Sequence, residues 1–252
     1  FTELGVQDDV TVEVDWGDGT VTQGQVNYTS NIAGDLSAAH SYQQLGDYSI
    51  TVRLLDDDGG ISNALTANIS VVDKIPPQVA SIVIGDGTAQ RSVVRLITVD
   101  FDSIVTIDPG AFVITNDLGQ TVDVAVAQRE VGGKSQVTLT FSGEGVDASG
   151  SLVDANYTLT ILDTHIRDIA GNALDGDRDG QAGGAAVDEF FRFFGDSDGD
   201  RDVDYNDFLE FRSAFGASSE DERYLSHLDA NGNDEIDYFD FLTFRANFGG
   251  SI

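Results

Sequence analysis

Apolar and polar side chains alternate along several short stretches near the beginning of the chain. Two of these stretches place apolar residues at every second position: Val10, Val12, Val14 and Trp16, then Tyr48, Ile50, Val52 and Leu54. This period of two predicts strands with one buried face. Clusters rich in Gly and Asp, such as Gly17-Asp18-Gly19, separate the stretches as turns do. We therefore expect residues 1–73 to form a β-sandwich.

A second series of predicted strands follows Lys74-Ile75-Pro76-Pro77, whose paired prolines make a short and stiff link. The candidate strands are residues 79–84, 93–101, 111–115, 122–128, 136–141 and 157–162. Gly, Asn and Asp residues fill the gaps between them. Residues 76–194 are therefore predicted to form a second β-sandwich in tandem with the first.

The periodicity changes after Gly195. Phenylalanines now recur at three- and four-residue spacing, which is typical of helices, at Phe208, Phe211, Phe215, Phe241, Phe244 and Phe248. No flexible linker precedes this part, because the Phe-rich run 190–194 leads directly into it. We expect residues 195–252 to form a small helical domain that packs against the second sandwich.

Two acid-rich loops precede the two predicted helices, and the second loop begins 33 residues after the first. Oxygen-bearing side chains stand at positions 1, 3, 5, 7, 9 and 12 of both loops. They are Asp196, Asp198, Asp200, Asp202, Asp204 and Asp207 in the first loop, and Asp229, Asn231, Asn233, Glu235, Asp237 and Asp240 in the second.

This spacing is typical of EF-hand-like calcium loops. Such a loop gives Ca²⁺ about six to eight oxygen ligands, including the backbone carbonyl of position 7 and often a water held by position 9. Most acidic runs are only solvated surface, but two copies in register favour two Ca²⁺ sites. Position 8 is apolar in both loops, and we expect Val203 and Ile236 to pair with each other as short strands.

These repeats resemble a dockerin domain. The resemblance implies calcium-dependent folding and binding to a cohesin-like receptor. Position 6, normally Gly in this family, is Arg201 in the first loop and Asp234 in the second. The aromatic residues at positions 10 and 11 also depart from the small hydroxyl pairs of familiar members. We expect them to stay exposed and to bind a partner, either the receptor or another part of a surface assembly; they are Tyr205, Tyr238 and Phe239.

Two further features of this part are a pair of equivalent arginines and a predicted helix start between the repeats. Arg212 and Arg245 occupy equivalent helix positions, where they either contact a partner or pair with neighbouring acids. Between the repeats, the run from Ser219 to Glu222 has capping-box spacing and predicts a linking helix.

The two predicted sandwiches also carry family resemblances. Trp16-Gly17-Asp18-Gly19-Thr20, together with His40 and Tyr42, resembles a PKD (polycystic kidney disease) domain, an Ig-like sandwich whose first strand should precede Phe1. We expect Trp16 to be a core residue and His40 to make a turn hydrogen bond. The middle part looks like a bacterial Ig-like surface domain, on the basis of Pro76-Pro77, the strand around Phe101 and residues 166–174.

A third acidic loop follows in the middle part. Asp175, Asp177 and Asp179 begin like a calcium loop, but position 12 would be Ala186. Asp188 or Glu189 would then have to supply the closing carboxylate. A third Ca²⁺ site and an exposed acidic turn both remain open.

The composition of the chain excludes several classes of function. The 252 residues carry a formal charge of −31, which repels nucleic acid phosphates and anionic membranes, and no apolar run is long enough for membrane insertion. There is no cysteine for disulfides or thiolate zinc sites. The chain has no methionine and opens without a leader pattern, so we expect a part of a longer secreted protein.

Enzyme activity is not expected. The three histidines fall in different predicted domains, and the motifs of nucleophile elbows, phosphate loops and dinucleotide sites are missing from the sequence. The prediction is a mostly β protein, with two Ig-like sandwiches followed by a small α-helical calcium domain. Its function is either that of a structural or adhesive module on a bacterial cell surface, or that of a targeting appendage that anchors an upstream enzyme to a cohesin-like receptor.

Overall fold

In the computed structural model, which describes residues 10–30 and 33–252, the chain divides into two compact units. The first unit is Phe1–Lys74 and the second is Ile75–Ile252. Strands dominate the described residues, which also contain two short α-helices. Among these residues, no helix has the length and apolar character needed to cross a membrane.

The described part of the first unit is an antiparallel five-stranded sheet. Its strands are β1 (Val10–Asp15), β2 (Val21–Ser30), β3 (Ala33–Ser37), β4 (Gly46–Asp56) and β5 (Leu65–Val71), in the order β3-β2-β1-β4-β5. The alternating side chains of β1 build the core, because Val12, Val14 and Trp16 are buried together. The expected beginning of this domain, residues 1–9, lies outside the described residues.

The two expected side-chain roles near the Trp16 turn are confirmed. Trp16 is buried, with 8% of its side chain exposed, and it stacks on the His40 ring at a centroid distance of 4.9 Å. The Nε2 atom of His40 lies 2.7 Å from Oδ2 of Asp18 in the adjoining turn. This hydrogen bond lowers the pKa of the Asp18 carboxyl.

The second unit begins with a sheet of seven antiparallel strands in the order β14-β12-β9-β10-β11-β7-β6. The strands of this part are β6 (Val79–Ile84), β7 (Leu96–Phe101), β8 (Val105–Ile107), β9 (Phe112–Asn116), β10 (Thr121–Val131), β11 (Lys134–Ser142), β12 (Ala155–Ile161), β13 (Ile166–Asp168) and β14 (Ala186–Arg192). Strands β8 and β13 form a separate pair, and a short 3₁₀ helix at Asp163–His165 leads from β12 into β13. All six predicted strands are present, although β7 begins at Leu96 rather than at Val93.

The seven-stranded sheet folds over on itself at β10. The first residues of β10 pair with β9, whereas residues 123–131 pair with β11. The two halves of the sheet enclose one core, in which Ile97 and Leu139 from one half are fully buried with Ile114 and Leu159 from the other. Strands β6 and β14, at the two ends of the sheet, also contact each other. The fold of this part is therefore sandwich-like.

Two helices follow, α1 (Tyr205–Ala214) and α2 (Tyr238–Asn247), as the phenylalanine spacing predicted. Phe211 and Phe244 pack against each other with ring centroids 4.8 Å apart. The Phe-rich run before Gly195 joins the same cluster, with Phe194 fully buried. The expectation that the helical part packs on the preceding sheet is confirmed, because residues 75–252 form one compact unit.

The expected pairing of Val203 with Ile236 is wrong. Val203 exchanges backbone hydrogen bonds with Gly249 and Gly250, which follow α2. Ile236 does the same with residues 216–217, which follow α1. Each loop therefore pairs with the segment that leaves the other helix, and this exchange joins the two repeats into one structure.

The expected linking helix between the repeats is also wrong, since residues 215–237 contain only turns and isolated bridges. The Asp221 carboxylate accepts hydrogen bonds from the backbone N–H and the hydroxyl of Ser218, at 3.0 and 3.3 Å. Such local bonds between side chain and backbone compete with helix formation. A capping-box spacing therefore yields a turn here.

Candidate calcium sites

The first acidic loop is held in shape by its first and last carboxylates. Asp196 is fully buried, and its carboxylate accepts the backbone N–H groups of Gly199 and Arg201 at 2.6 and 3.0 Å. Asp207 accepts those of Ser197 and Asp204, both at 2.8 Å. These bonds join residues at most 10 positions apart, so the two carboxylates close the loop on itself.

The carboxylates of this loop converge. Oxygen atoms of Asp196, Asp198 and Asp207 lie within 4.8 Å of one another, and so do those of Asp202, Asp204 and Asp207. One carboxylate oxygen of Asp202, at position 7, is buried without a hydrogen-bond partner in the described structure. Five of the six predicted ligands are therefore brought together. The sixth, Asp200, accepts the N–H of Asp202 at 3.1 Å.

The second loop repeats the closure by its first and last carboxylates, but among the described residues its acids do not form a group of three within 4.8 Å. Asp229 accepts the N–H groups of Gly232 and Asp234 at 2.7 and 2.9 Å, and Asp240 accepts those of Ala230 and Asp237 at 2.8 and 2.7 Å. Of the remaining predicted ligands, Asn231 and Asn233 are neutral, Glu235 is exposed and Asp237 is half-buried. Asn231 and Asn233 each accept the N–H two residues ahead, at 3.0 Å. The Glu235 side chain is exposed, and within residues 10–30 and 33–252 its carboxylate makes no hydrogen bond or ion pair.

The position-9 residues have a second role, because Asp204 and Asp237 are the N-caps of α1 and α2. Their carboxylates accept the N–H of Asn206 and Phe239 at 2.6 and 2.7 Å. The closing acids complete a capping box at both helices. The end of each loop and the start of its helix are thus a single hydrogen-bonded element.

Crowding of acids makes both loops electrostatically costly without a cation. Burial raises the pKa of Asp196 to about 6. Repulsion by Asp207 and Asp200 contributes to this rise, whereas two backbone hydrogen bonds to the carboxylate lower the pKa. Burial and the same kind of repulsion also raise the pKa of Asp198 and Asp240. A divalent cation among these oxygens would remove the repulsion.

Position 6 has a left-handed backbone in both loops, with φ of 77° at Arg201 and 66° at Asp234. This explains why glycine is normal there, since a side chain at positive φ is strained. The Arg201 side chain has its own contacts, because its guanidinium lies 4.3 Å from the Phe191 ring centroid and donates to Asn156 at 2.8 Å. These contacts offset the strain.

The third acidic loop shares part of this geometry. Carboxylate oxygens of Asp175, Asp177 and Asp179 lie within 4.8 Å of one another, and Asp175 is fully buried. Asp175 accepts the N–H of Asp179 and Gly180 at 3.1 and 3.0 Å, which matches position 1 of the other loops. With Ala186 at position 12, the N–H of position 2 bonds to the backbone carbonyls of residues 183 and 184 instead.

A closing carboxylate is not part of this third group. Asp188 lines the same cavity of about 360 Å³ as Asp177, but only the three acids of the loop itself converge. Burial works to raise the pKa of Asp175, yet hydrogen bonds from Gln78 and from backbone N–H groups outweigh it and lower that pKa. The chain itself stabilises this carboxylate, so the third loop has less need of a cation.

Two side chains that support the loops were not predicted from the sequence. The hydroxyl of Tyr224 donates to Asp229 at 2.8 Å, and the amide of Gln78 donates to Asp175 at 2.6 Å. Burial and the neighbouring Asp229 raise the pKa of Tyr224 far above its usual value. Tyr224 stands five residues before the second loop, and the equivalent residue before the first loop is Phe191, which has no hydroxyl. The repeat therefore gave no indication that a hydroxyl at this position bonds to the loop.

The outer face of the two helices carries a pair of matching grooves. One, of about 320 Å³, is lined by Tyr205, Phe208, Phe241, Phe244, Arg245 and Phe248. The other, of about 480 Å³, is lined by Phe208, Phe211, Arg212, Phe215, Tyr238 and Phe241. Each residue of one groove has its counterpart, 33 positions away in the sequence and in the other repeat, in the other groove. The internal repeat has therefore duplicated an apolar surface.

The predicted partner-binding residues lie on or beside this face. Tyr205 and Tyr238 are each 61% exposed and Phe239 is 66% exposed. Arg212 and Arg245 are exposed, and in the described structure neither guanidinium takes part in a hydrogen bond or an ion pair. The alternative in which these arginines pair with neighbouring acids is therefore wrong.

The comparisons with known proteins bear on the middle of the chain. Residues 73–182 match the family model of the bacterial Ig-like domain. The match supports the expected Ig-like domain in the seven-stranded sheet, whose last strand, β14, follows the matched region. Bacterial Ig-like domains are typically found on surfaces or outside the cell. A comparison with curated proteins found no match to the chain. The resemblances to PKD and dockerin domains stay predictions.

Proposed function

We propose that this chain is a non-enzymatic, calcium-binding structural or adhesion module of a bacterial extracellular surface protein, in which residues 195–252 bind two Ca²⁺ ions. The observation that carries the proposal is the matched closure of the two acidic loops. In each, a buried Asp at position 1 and a buried Asp at position 12 accept backbone N–H groups of the loop on both carboxylate oxygens and hold it closed.

The ligand set fits calcium better than other common ions. It consists of carboxylate and amide oxygens with backbone carbonyls in a flexible loop, which suits the larger and less regular coordination shell of Ca²⁺. Mg²⁺ demands a tighter octahedral shell, and Zn²⁺ prefers nitrogen and sulfur ligands. The third loop holds three acids and no closing carboxylate, so any ion there would be held by fewer protein ligands.

Surface localisation rests on the Ig-like match and on the tandem arrangement with the first β unit. Such modules hold a functional end away from the cell, which fits an adhesive or structural part of a larger surface protein. The proposal includes secretion and no catalytic activity.

Isothermal titration calorimetry of the chelator-treated chain tests the calcium proposal. We expect two Ca²⁺ per chain in the C-terminal loops, a third only if the loop at Asp175 also fills, and much weaker heats with Mg²⁺. Asp207→Ala and Asp240→Ala should each remove one site. Asp57→Ala is the matched control, because it removes an exposed carboxylate from an acidic turn outside the loops. A chain that takes up no Ca²⁺ would refute the proposal.

The duplicated grooves favour a second candidate function. An exposed aromatic surface with unpaired arginines on a chain of charge −31 is typical of a docking site. In this alternative, the C-terminal part anchors an upstream enzyme to a cohesin-like receptor. Calcium binding is common to both candidates, and receptor binding distinguishes them.

A further inference from the structure

Both calcium loops contact one short segment of the Ig-like domain, residues 89–95, which joins β6 to β7 and is here termed the brace segment. We propose that the brace segment completes the two loops by holding their first residues in place, so that calcium affinity depends on the Ig-like domain. This inference rests on the proposed calcium binding of Asp196 and Asp229.

The first loop is held through backbone atoms. The N–H of Arg91 donates to the carbonyl of Asp196 at 2.9 Å, and the carbonyl of Arg91 accepts the N–H of Phe193 at 2.9 Å. The hydroxyl of Ser92, fully buried, accepts the N–H of Gly195 at 2.9 Å. Three hydrogen bonds therefore fix the position-1 residue and the segment that leads into it.

The brace segment and the first loop also approach each other closely at position 4 of this loop. A Cβ atom built on Gly199 would lie only 2.2 Å from the carbonyl oxygen of Ala89, and Gly199 has a φ of 80°. Only glycine fits such an approach without displacing the backbone. The N–H of Gly199 is one of the two that the Asp196 carboxylate accepts, so this contact bears on the ligand itself.

The second loop is held through a side chain. The guanidinium of Arg95 donates to the carbonyl of Asp229 at 3.2 Å and to that of Ser226 at 3.3 Å. Its Nε atom donates to Ser149 of the Ig-like domain at 3.1 Å, which fixes the guanidinium. Arg95 is therefore a positioning residue: it touches no ligand oxygen, but it holds the backbone of the residue that supplies one.

A residue at position 1 must direct its carboxylate to the ion while its own buried carbonyl faces away. That carbonyl needs a donor, because an unpaired buried carbonyl is costly. The brace segment supplies the donor in both loops, and its Val93 belongs to the buried cluster that contains Phe194 and Phe244. The brace segment and both loops belong to the same compact unit, residues 75–252.

The test uses the whole chain and a reporter in each loop. Amide NMR signals of Gly199 and Gly232, followed during Ca²⁺ titration, report loop one and loop two separately. Arg95→Ala should raise the calcium midpoint at Gly232 by about tenfold and leave that at Gly199 within twofold. Ser92→Ala should do the reverse, with a several-fold rise at Gly199. Arg95→Lys, which keeps the charge, should recover part of the affinity at Gly232.

Arg167→Ala is the control, since that exposed arginine of the Ig-like domain makes no side-chain hydrogen bond or ion pair among the described residues. It should change neither midpoint. If the midpoints of Arg95→Ala and Ser92→Ala equal those of the wild type, the brace is refuted. An equal loss at both loops in either variant also refutes it, because that pattern indicates general destabilisation. If Arg95→Ala does not fold, Ser92→Ala decides. A wild-type chain whose glycine signals ignore Ca²⁺ refutes the proposed function instead.

Discussion

The guanidinium of Arg201 lies 4.3 Å from the centre of the Phe191 ring, and this contact joins the first acidic loop to β14, the last strand of the seven-stranded sheet. Arg201 has a φ of 77°, a conformation that favours glycine. A strained arginine at this position is understandable only because its side chain reaches Phe191 and Asn156. In the second loop Asp234 has a similar φ, and within the described part of the chain its side chain makes no hydrogen bond or ring contact.

The first prediction uses this difference. Arg201→Ala and Asp234→Ala place the same residue at positive φ in equivalent positions, so the backbone strain of the two variants is alike. Arg201→Ala additionally loses a cation–π contact and a hydrogen bond at an exposed site, and we expect it to cost about 1 kcal/mol more. Urea unfolding in saturating Ca²⁺ measures both values. Equal losses would show that the Arg201 contacts contribute nothing to stability.

The second prediction concerns calcium removal. Chelation should unfold residues 196–250, because like charges then crowd the loops and the helices share a small Phe-rich core. Each site contributes about 2.7 kcal/mol when free Ca²⁺ is a hundred times the dissociation constant. The core of the seven-stranded sheet is a separate cluster and should persist.

Circular dichroism with calorimetry measures this effect: the helical signal should fall on chelation while the strand signal remains. Adding Ca²⁺ should restore the helical signal, and the same concentration of Mg²⁺ should not. A helical signal and a melting transition that are the same with and without chelator would contradict the prediction.

The third prediction concerns pH. Burial and neighbouring acids raise the pKa of Asp196 to about 6 in the folded, ion-free loop. Protons therefore compete with Ca²⁺, and the affinity of the first loop should fall about tenfold between pH 7 and pH 5. The Gly199 amide signal measures this midpoint. A midpoint that stays constant over this range would show that Asp196 is not a ligand or is not titrating.

Stability without Ca²⁺ should show the opposite trend. A carboxyl whose pKa is higher in the folded state than in the unfolded state contributes stability at low pH and loses it as pH rises through the folded value. The melting transition of residues 196–250 that chelation removes at pH 7 should therefore partly return at pH 5 through Asp196, whereas the calcium-saturated unit should lose stability over the same change. Calorimetric melting temperatures at the two pH values, with and without chelator, test both signs.

The fourth prediction concerns the helical surface. If the matching grooves bind a cohesin-like receptor, replacing both Tyr205 and Tyr238 by Ala should weaken binding at least tenfold, since exposed aromatic residues commonly anchor interfaces. Ile169→Ala is the control, because Ile169 is 96% exposed and lies in the Ig-like domain. Surface plasmon resonance against a panel of cohesin domains measures the change. Unaltered binding by the double variant would exclude these tyrosines from the interface.

The sequence alone determined the parts of this protein that depend on local interactions. The alternation from Val10 to Trp16 gave a strand, and the spacing of Phe208 and Phe211 gave a helix. The positions of the candidate calcium ligands were also readable, because each loop is closed by hydrogen bonds between residues at most 10 positions apart. Such patterns follow from backbone geometry and need no knowledge of the rest of the chain.

Only the tertiary structure decided how these parts meet. Val203 pairs with residues 249–250 rather than with Ile236, and Arg95 donates to a carbonyl 134 positions away. A periodic pattern shows that a face will be buried but not which surface will cover it, and a buried carbonyl needs a donor without specifying where in the chain the donor lies. The brace segment and the exchange between the two repeats therefore came from packing, because distant residues become neighbours only when the cores of the two parts close together.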